Sequence, residues 1–107
     1  MSPIAHIAPA QLEQLYRESE VTLLDVRTDA EVARGMIEGA THIPLNLLPS
    51  RYAELNPAAV TVVYCQSGGR SAQACAWLAD QGFGRVYNLL GGTLAWMRDG
   101  RSLSSST

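Results

Sequence analysis

Two rhythms alternate along the chain. Short, unbroken apolar runs fall at 21–26 (VTLLDV), 41–45 (THIPL), 59–64 (AVTVVY) and 84–89 (GRVYNL). Each is bounded by charge, glycine or proline, and each is too short to be a buried helix, so each predicts a strand. Pro44 ends the second of them, and 59–64 is the clearest because it is β-branched and continuously apolar. Between the runs, apolar residues recur three and four apart. Pro9 opens a helix with Leu12, Leu15 and Tyr16 on one face. Asp29 is a candidate N-cap and Gly35 a candidate stop for a helix of one or two turns. Further helices are predicted over 47–55, with Pro49 near its start, over 71–82, ending on a glycine, and over 91–100, between a glycine pair and Gly100. Continuously apolar strands are buried on both faces. Alternating with helices, they predict an α/β fold with a central, mainly parallel sheet flanked by helices on both faces.

A length of 107 residues suits one domain, expected over 1–100, with a disordered tail over 101–107. Apolar residues make up 47%, enough for a core. The formal charge is −2, and all eight basic residues are scattered arginines, which argues against nucleic acid and acidic membrane surfaces as partners. No apolar run reaches the length of a membrane span, and the N-terminal stretch lacks the basic start and apolar core of a secretory signal, so a cytoplasmic location is expected. Two cysteines, Cys65 and Cys75, do not make a disulfide framework. In a reducing compartment such a thiol serves packing or reactivity. No metal or cofactor is expected: His42 stands alone beside Ile43 and Pro44, and His6 carries no motif.

The chemistry concentrates in the loop CQSGGR, between the strand 59–64 and the helix 71–82. Ligands of open α/β sheets collect where strand C-termini meet helix N-termini. Gly68 and Gly69 allow positive φ and close approach, so successive N–H groups can point at one centre. The helix behind adds its partial positive end. A thiol placed there ionises readily, and the thiolate is the competent nucleophile. Cys75, on one helical face with Leu78, Ala79 and Gly82, reads as core packing, with a resolving thiol as the alternative. Trp77 and Trp96 read as packing residues on helices, or as residues edging the pocket. Asp25 and Arg27, at a strand end, are either a buried brace or a substrate contact.

Three stretches in order resemble the rhodanese family. VVYCQSGGRSAQACAWLADQGFGRVYNLLGGTLAWMRDG is similar to its active-site half. LLDVRTDAEVARGMIEGATHIPL resembles its first motif, and LLGGTLAWMRDG its last. The resemblance implies a sulfurtransferase in which Cys65 takes a sulfane sulfur as a persulfide. The backbone of Gln66, Ser67, Gly68, Gly69, Arg70 and Ser71 would cradle it, and Arg70 would brace the loop, against Glu31 or Asp25, or meet an anionic substrate. It implies thiosulfate or a low-molecular-weight or protein persulfide as donor. The acceptor would be a thiol, cyanide or a dithiol protein such as a thioredoxin. Cell-cycle phosphatases resemble the same fold but place one more residue between cysteine and arginine. The six residues from Cys65 to Arg70 match the narrower ring and rank sulfur transfer above a phosphatase or arsenate reductase; a non-catalytic docking module ranks lower because inert relatives generally lack the cysteine, which this chain keeps in an intact loop. Two features depart from the family pattern: Met36 stands where histidine is usual, and Gln66 and Ser67 are neutral where basic side chains often favour thiosulfate.

Overall fold

The computed structural model describes residues 4–104. Five strands form one sheet in the order β1-β5-β4-β2-β3: β1 (Ala5–Ile7), β2 (Val21–Asp25), β3 (Thr41–His42), β4 (Val60–Tyr64) and β5 (Val86–Leu89). Every pairing among them is parallel. The helices are α1 (Pro9–Glu18), α2 (Asp29–Val32), α3 (Leu48–Arg51), α4 (Gly69–Asp80) and α5 (Gly92–Arg98).

β4 is the middle strand, and all five of its residues are buried. Because successive side chains point to opposite faces, it feeds two cores at once. Val63 and Cys65 join Leu24, Ile43, Leu48, Ala74, Cys75, Leu78 and Phe83 beneath α3 and α4. Val60, Val62 and Tyr64 join Ile7, Leu12, Leu23 and Leu89, with Trp96 packed against them, beneath α1 and α5. The chain runs from β2 outward to β3 and returns across β2 to β4, so the sheet order switches between β2 and β4. That switch is the crevice in which such sheets place ligands.

Several boundaries differ from the sequence expectation, each for a local reason. The edge strand β1 was not expected; three residues, AHI, are too few to show a period, and only pairing with Tyr87, Asn88 and Leu89 defines them. The strand expected over 41–45 pairs only at Leu24 and Asp25, and Pro44 then caps a 3₁₀ turn. The helix expected over 47–55 is one turn, α3, between two 3₁₀ turns. α2 is capped by Thr28 rather than Asp29: the Glu31 N–H donates to Thr28 Oγ1 (3.3 Å) and the Thr28 N–H to Glu31 Oε1 (3.1 Å). Beyond α5, Met36 and Ser104 exchange two backbone hydrogen bonds and Leu103 packs on the core beneath α1 and α5. Residues 101–104 of the expected tail therefore lie against the domain, and 105–107 fall outside the described residues.

Candidate active site

Cys65 is the first residue past β4, and the loop it opens closes on itself within four residues. Gly68 makes the turn at φ +113°, a conformation only glycine takes without strain. Gly69 differs from expectation: it is the first residue of α4 and has no positive φ. The turn aims N–H groups at the sulfur. Gly68 N–H donates to Cys65 Sγ at 3.2 Å and Ser71 N–H at 3.4 Å, the Ser67 N–H faces it as well, and Ser71 Oγ lies 3.3 Å away. Burial pushes the Cys65 thiol up, but the Ser71 hydroxyl and the Ser71, Gly68 and Ser67 amides outweigh it and bring the thiol below its ordinary value. Cys65 is only 1% exposed, whereas Gln66, Ser67 and Gly69 are exposed, so the sulfur lies just beneath the surface of the loop.

Two neighbouring segments hold the loop. The start of α5 abuts it: Thr93 N–H donates to the Cys65 carbonyl (2.9 Å) and Leu94 N–H to the Gln66 carbonyl (3.1 Å). α2 holds it by a fork. Arg70 donates to Glu31 Oε1 at 2.6 Å and Oε2 at 2.8 Å, so of the two acidic partners considered for Arg70 it is Glu31 that takes it. Glu31 sits in the capping box of α2, which pre-aims its carboxylate. The Arg70 hydrogen bonds hold that carboxyl at about 2, well below its ordinary 4.5.

This shift has a pH consequence. The folded value lies below the unfolded one, so the contribution to stability is complete above pH 4.5 and is lost as pH falls toward about 2. Both side chains are part-exposed, which limits the contribution to under about 1 kcal/mol. Urea unfolding of Glu31→Gln beside the unaltered protein is expected to show that deficit at neutral pH and its disappearance across the same acid window. A deficit that persists unchanged at the acid end would contradict the assignment.

Asp25 and Arg27 form a buried brace rather than a substrate contact. Arg27 Nη2 donates to Asp25 Oδ2 (2.8 Å) and to the Gly35 carbonyl (2.7 Å), and the two side chains are 5% and 0% exposed. Tyr64 Oη accepts the Ile37 N–H (3.0 Å), tying the same turn to β4. His42 Nε2 donates to the Arg27 carbonyl at 2.7 Å, a structural use of that ring. Cys75 is a core thiol, pushed up to about 12 by burial and then by the nearby Cys65. Trp77 meets Tyr52 edge to face at 5.0 Å and lines a cleft of about 500 Å³ that also touches Arg70, Leu45, Leu48 and Pro44. Among the described residues there is no His/Cys/Asp/Glu cluster that could hold a metal, and no helix long and apolar enough to cross a membrane.

Two residues near the sulfur carried no sequence signal. Asn88, in β5, is 2% exposed; its Oδ1 accepts from Ser71 Oγ at 2.6 Å and its Nδ2 donates to the Gly68 carbonyl at 3.1 Å. His6, in β1, places Nδ1 3.3 Å from Asn88 Nδ2. An asparagine inside a strand run reads as a polar interruption, and only the parallel pairings of β5 with β4 and of β1 with β5 reveal what it touches.

Residues 8–99 match the model of the rhodanese-like domain family. A sulfurtransferase of Allochromatium vinosum is 49% identical over 88 residues, which cover 82% of this chain and 82% of that protein. The thiosulfate sulfurtransferase GlpE of Ectopseudomonas mendocina is 34% identical, over 90% of this chain and 87% of its own. A rhodanese-related protein of Thermoplasma volcanium superposes with a TM-score of 0.83 at 28% identity, covering 92% of this chain and 96% of that one. With the family match running from α1 through the Cys65 loop to α5, the chain belongs to the rhodanese-like domain family.

Proposed function

We propose that the protein is a sulfurtransferase that carries one sulfane sulfur on Cys65. The observation that carries this reading is the convergence of the Gly68 and Ser71 amides on a thiol lowered below its ordinary value. The Cys65 thiolate attacks the outer sulfur of the donor. A new S–S bond forms, the donor's own bond breaks, and its electron pair leaves on sulfite (from thiosulfate) or on a thiolate (from a persulfide). The charge now sits on the added sulfur, where the N–H groups of the 66–71 segment stabilise it as an oxyanion hole stabilises oxygen. A thiophilic acceptor (cyanide, a thiol, or one sulfur of a thioredoxin-like dithiol) attacks that outer sulfur and returns Cys65 as thiolate. No cofactor takes part in this scheme, and the reaction suits the cytoplasm, where the thiol stays reduced.

The neutral Gln66 and Ser67 and the engagement of Arg70 by Glu31 leave little free positive charge for a dianion. A persulfide donor is therefore preferred to thiosulfate. A phosphatase or arsenate reductase needs a wider ring of amides than six residues provide, and a docking module needs no acidic thiol.

Intact-mass analysis after incubation with thiosulfate and, separately, glutathione persulfide is the test. The expected result is a gain of one sulfur at Cys65, larger with the persulfide and removed by cyanide, glutathione or a dithiol. A protein unmodified by both donors would overturn the reading, and Cys65-dependent hydrolysis of an aryl phosphate would replace it.

A further inference from the structure

The Ser71 hydroxyl has one proton and two neighbours that want it. Cys65 Sγ lies 3.3 Å away and Asn88 Oδ1 2.6 Å. The orientation of the Asn88 amide is fixed independently: the Gly68 carbonyl can only accept, so the group 3.1 Å from it is the NH₂ and the group facing Ser71 is the oxygen. Two oxygens 2.6 Å apart with no proton between them repel, so in the resting protein the hydroxyl donates to Asn88. Its lone pairs then face the sulfur and accept the Cys65 S–H. Ionisation of Cys65 upsets this arrangement. Either the hydroxyl turns to the thiolate and abandons Asn88, or it stays and presents lone pairs to an anion.

We propose that Asn88 is a positioning residue that competes with the Cys65 thiolate for the Ser71 proton and so raises the pH at which the thiol becomes a nucleophile. It acts against the loop amides and against the turn of the Ser71 hydroxyl toward the sulfur, all of which favour the thiolate. The inference rests on Cys65 being the reactive thiol of the proposed function. The other groups around the pair are accounted for. Arg70, whose charge lies in the field of Cys65, is paired with Glu31 from α2. Asp25 on β2 is held by Arg27. Cys75 on α4 is pushed up to about 12 and stays neutral across the range of interest. His6 on β1 reaches Asn88 rather than the sulfur, accepting from Nδ2 through Nδ1.

The experiment is the pH dependence of iodoacetamide alkylation at Cys65, followed by intact mass, in Asn88→Ala, Asn88→Asp, Ser71→Ala and the Ser71→Ala/Asn88→Ala double variant. Asn88→Ala frees the hydroxyl, and the thiol is expected to titrate about one pH unit lower, the size of one hydrogen bond. Alkylation below that midpoint then rises by up to about tenfold. Adding Asn88→Ala to Ser71→Ala is expected to produce no such fall, since there is no proton left to redirect. Asn88→Asp, which binds the hydroxyl proton more strongly and adds negative charge, is expected to titrate higher. Simple loosening of the loop would move the Ala and Asp variants in the same direction, and that result overturns the proposal, as does a fall that survives in the Ser71→Ala background. If Asn88→Ala fails to fold, the Asp variant decides: an unchanged or lower midpoint overturns it. Shifts of the expected sign in a protein that takes no sulfur would support the role of Asn88 and sink the sulfurtransferase reading. Alkylation without pH dependence in every variant would sink both.

Discussion

Cys65→Ser is expected to abolish sulfur uptake and to lower transfer from any donor to cyanide by at least about a thousandfold. A serine hydroxyl in the same ring keeps its proton, because the amides that favour a thiolate are too weak to ionise an alcohol. A sulfur–oxygen bond is also no substitute for the persulfide bond. The exchange is nearly isosteric, and Ser71 Oγ and the Gly68 and Ser71 amides remain to satisfy the new hydroxyl. Thermal unfolding should therefore change little while activity disappears, which separates chemistry from stability. Cys75→Ser is the opposite control. It places a hydroxyl in the core beneath α4, so it should cost stability and leave the sulfur on Cys65. Steady-state transfer and intact mass on both variants check the pair. Sulfur uptake that survives in Cys65→Ser, or that needs Cys75, would contradict the assignment of the nucleophile.

The loop was legible because its chemistry is local. A β-branched run, a cysteine, a glycine pair and the start of a helix are adjacent in sequence, and the N–H groups that meet the sulfur belong to the same seven residues. Arg70 and Glu31 were half legible. The arginine stands in the motif, but its carboxylate is 39 residues away and is aimed by a capping box built on Thr28, not on the Asp29 that the composition of the turn suggested. Asn88 and His6 were illegible for a topological reason. β1 comes from the far end of the chain and pairs with β5, and β5 with β4, so three distant segments meet beside Cys65. No periodicity within any one of them encodes the meeting. The single expected helix over 47–55 broke up for another reason. Its apolar pattern is right, but Pro49 and the sharp turn from Pro44 confine regular helix to one turn, and Leu48 alone of that turn is buried.

The glycine pair at the start of α5 has two members that do different things: Gly91 caps the helix and Gly92 is its first residue. Both have positive φ, 73° at Gly91 and 59° at Gly92. A Cβ on Gly91 would meet the Ala95 side chain at 2.5 Å, whereas a Cβ on Gly92 would fall 2.3 Å from the Cys65 carbonyl oxygen and 2.6 Å from the Gln66 carbonyl carbon and oxygen. Backbone cannot swing aside as a flexible side chain does. Gly92→Ala must therefore push the start of α5 off the active-site loop and break the bonds from Thr93 and Leu94 to the carbonyls of Cys65 and Gln66. Left-handed strain, two lost hydrogen bonds and a displaced helix are expected to cost at least about 3 kcal/mol, or roughly 15 °C in Tm for a chain of this size. Gly69→Ala is the matched control on the other side of the loop. Its φ is not positive and its Cβ would meet nothing within 4 Å, so calorimetry should find it neutral or slightly stabilised. The Gly92 variant carries a second signature. Whatever fraction stays folded has a displaced Cys65 carbonyl, and the amides that follow it lose their aim at the sulfur. The alkylation midpoint of Cys65 should then rise toward that of an ordinary thiol. A Gly92→Ala protein with unchanged Tm and unchanged thiol titration would mean that the α5 start does not hold the loop, and that the ring of amides is maintained by Gly68 and the Arg70–Glu31 fork alone.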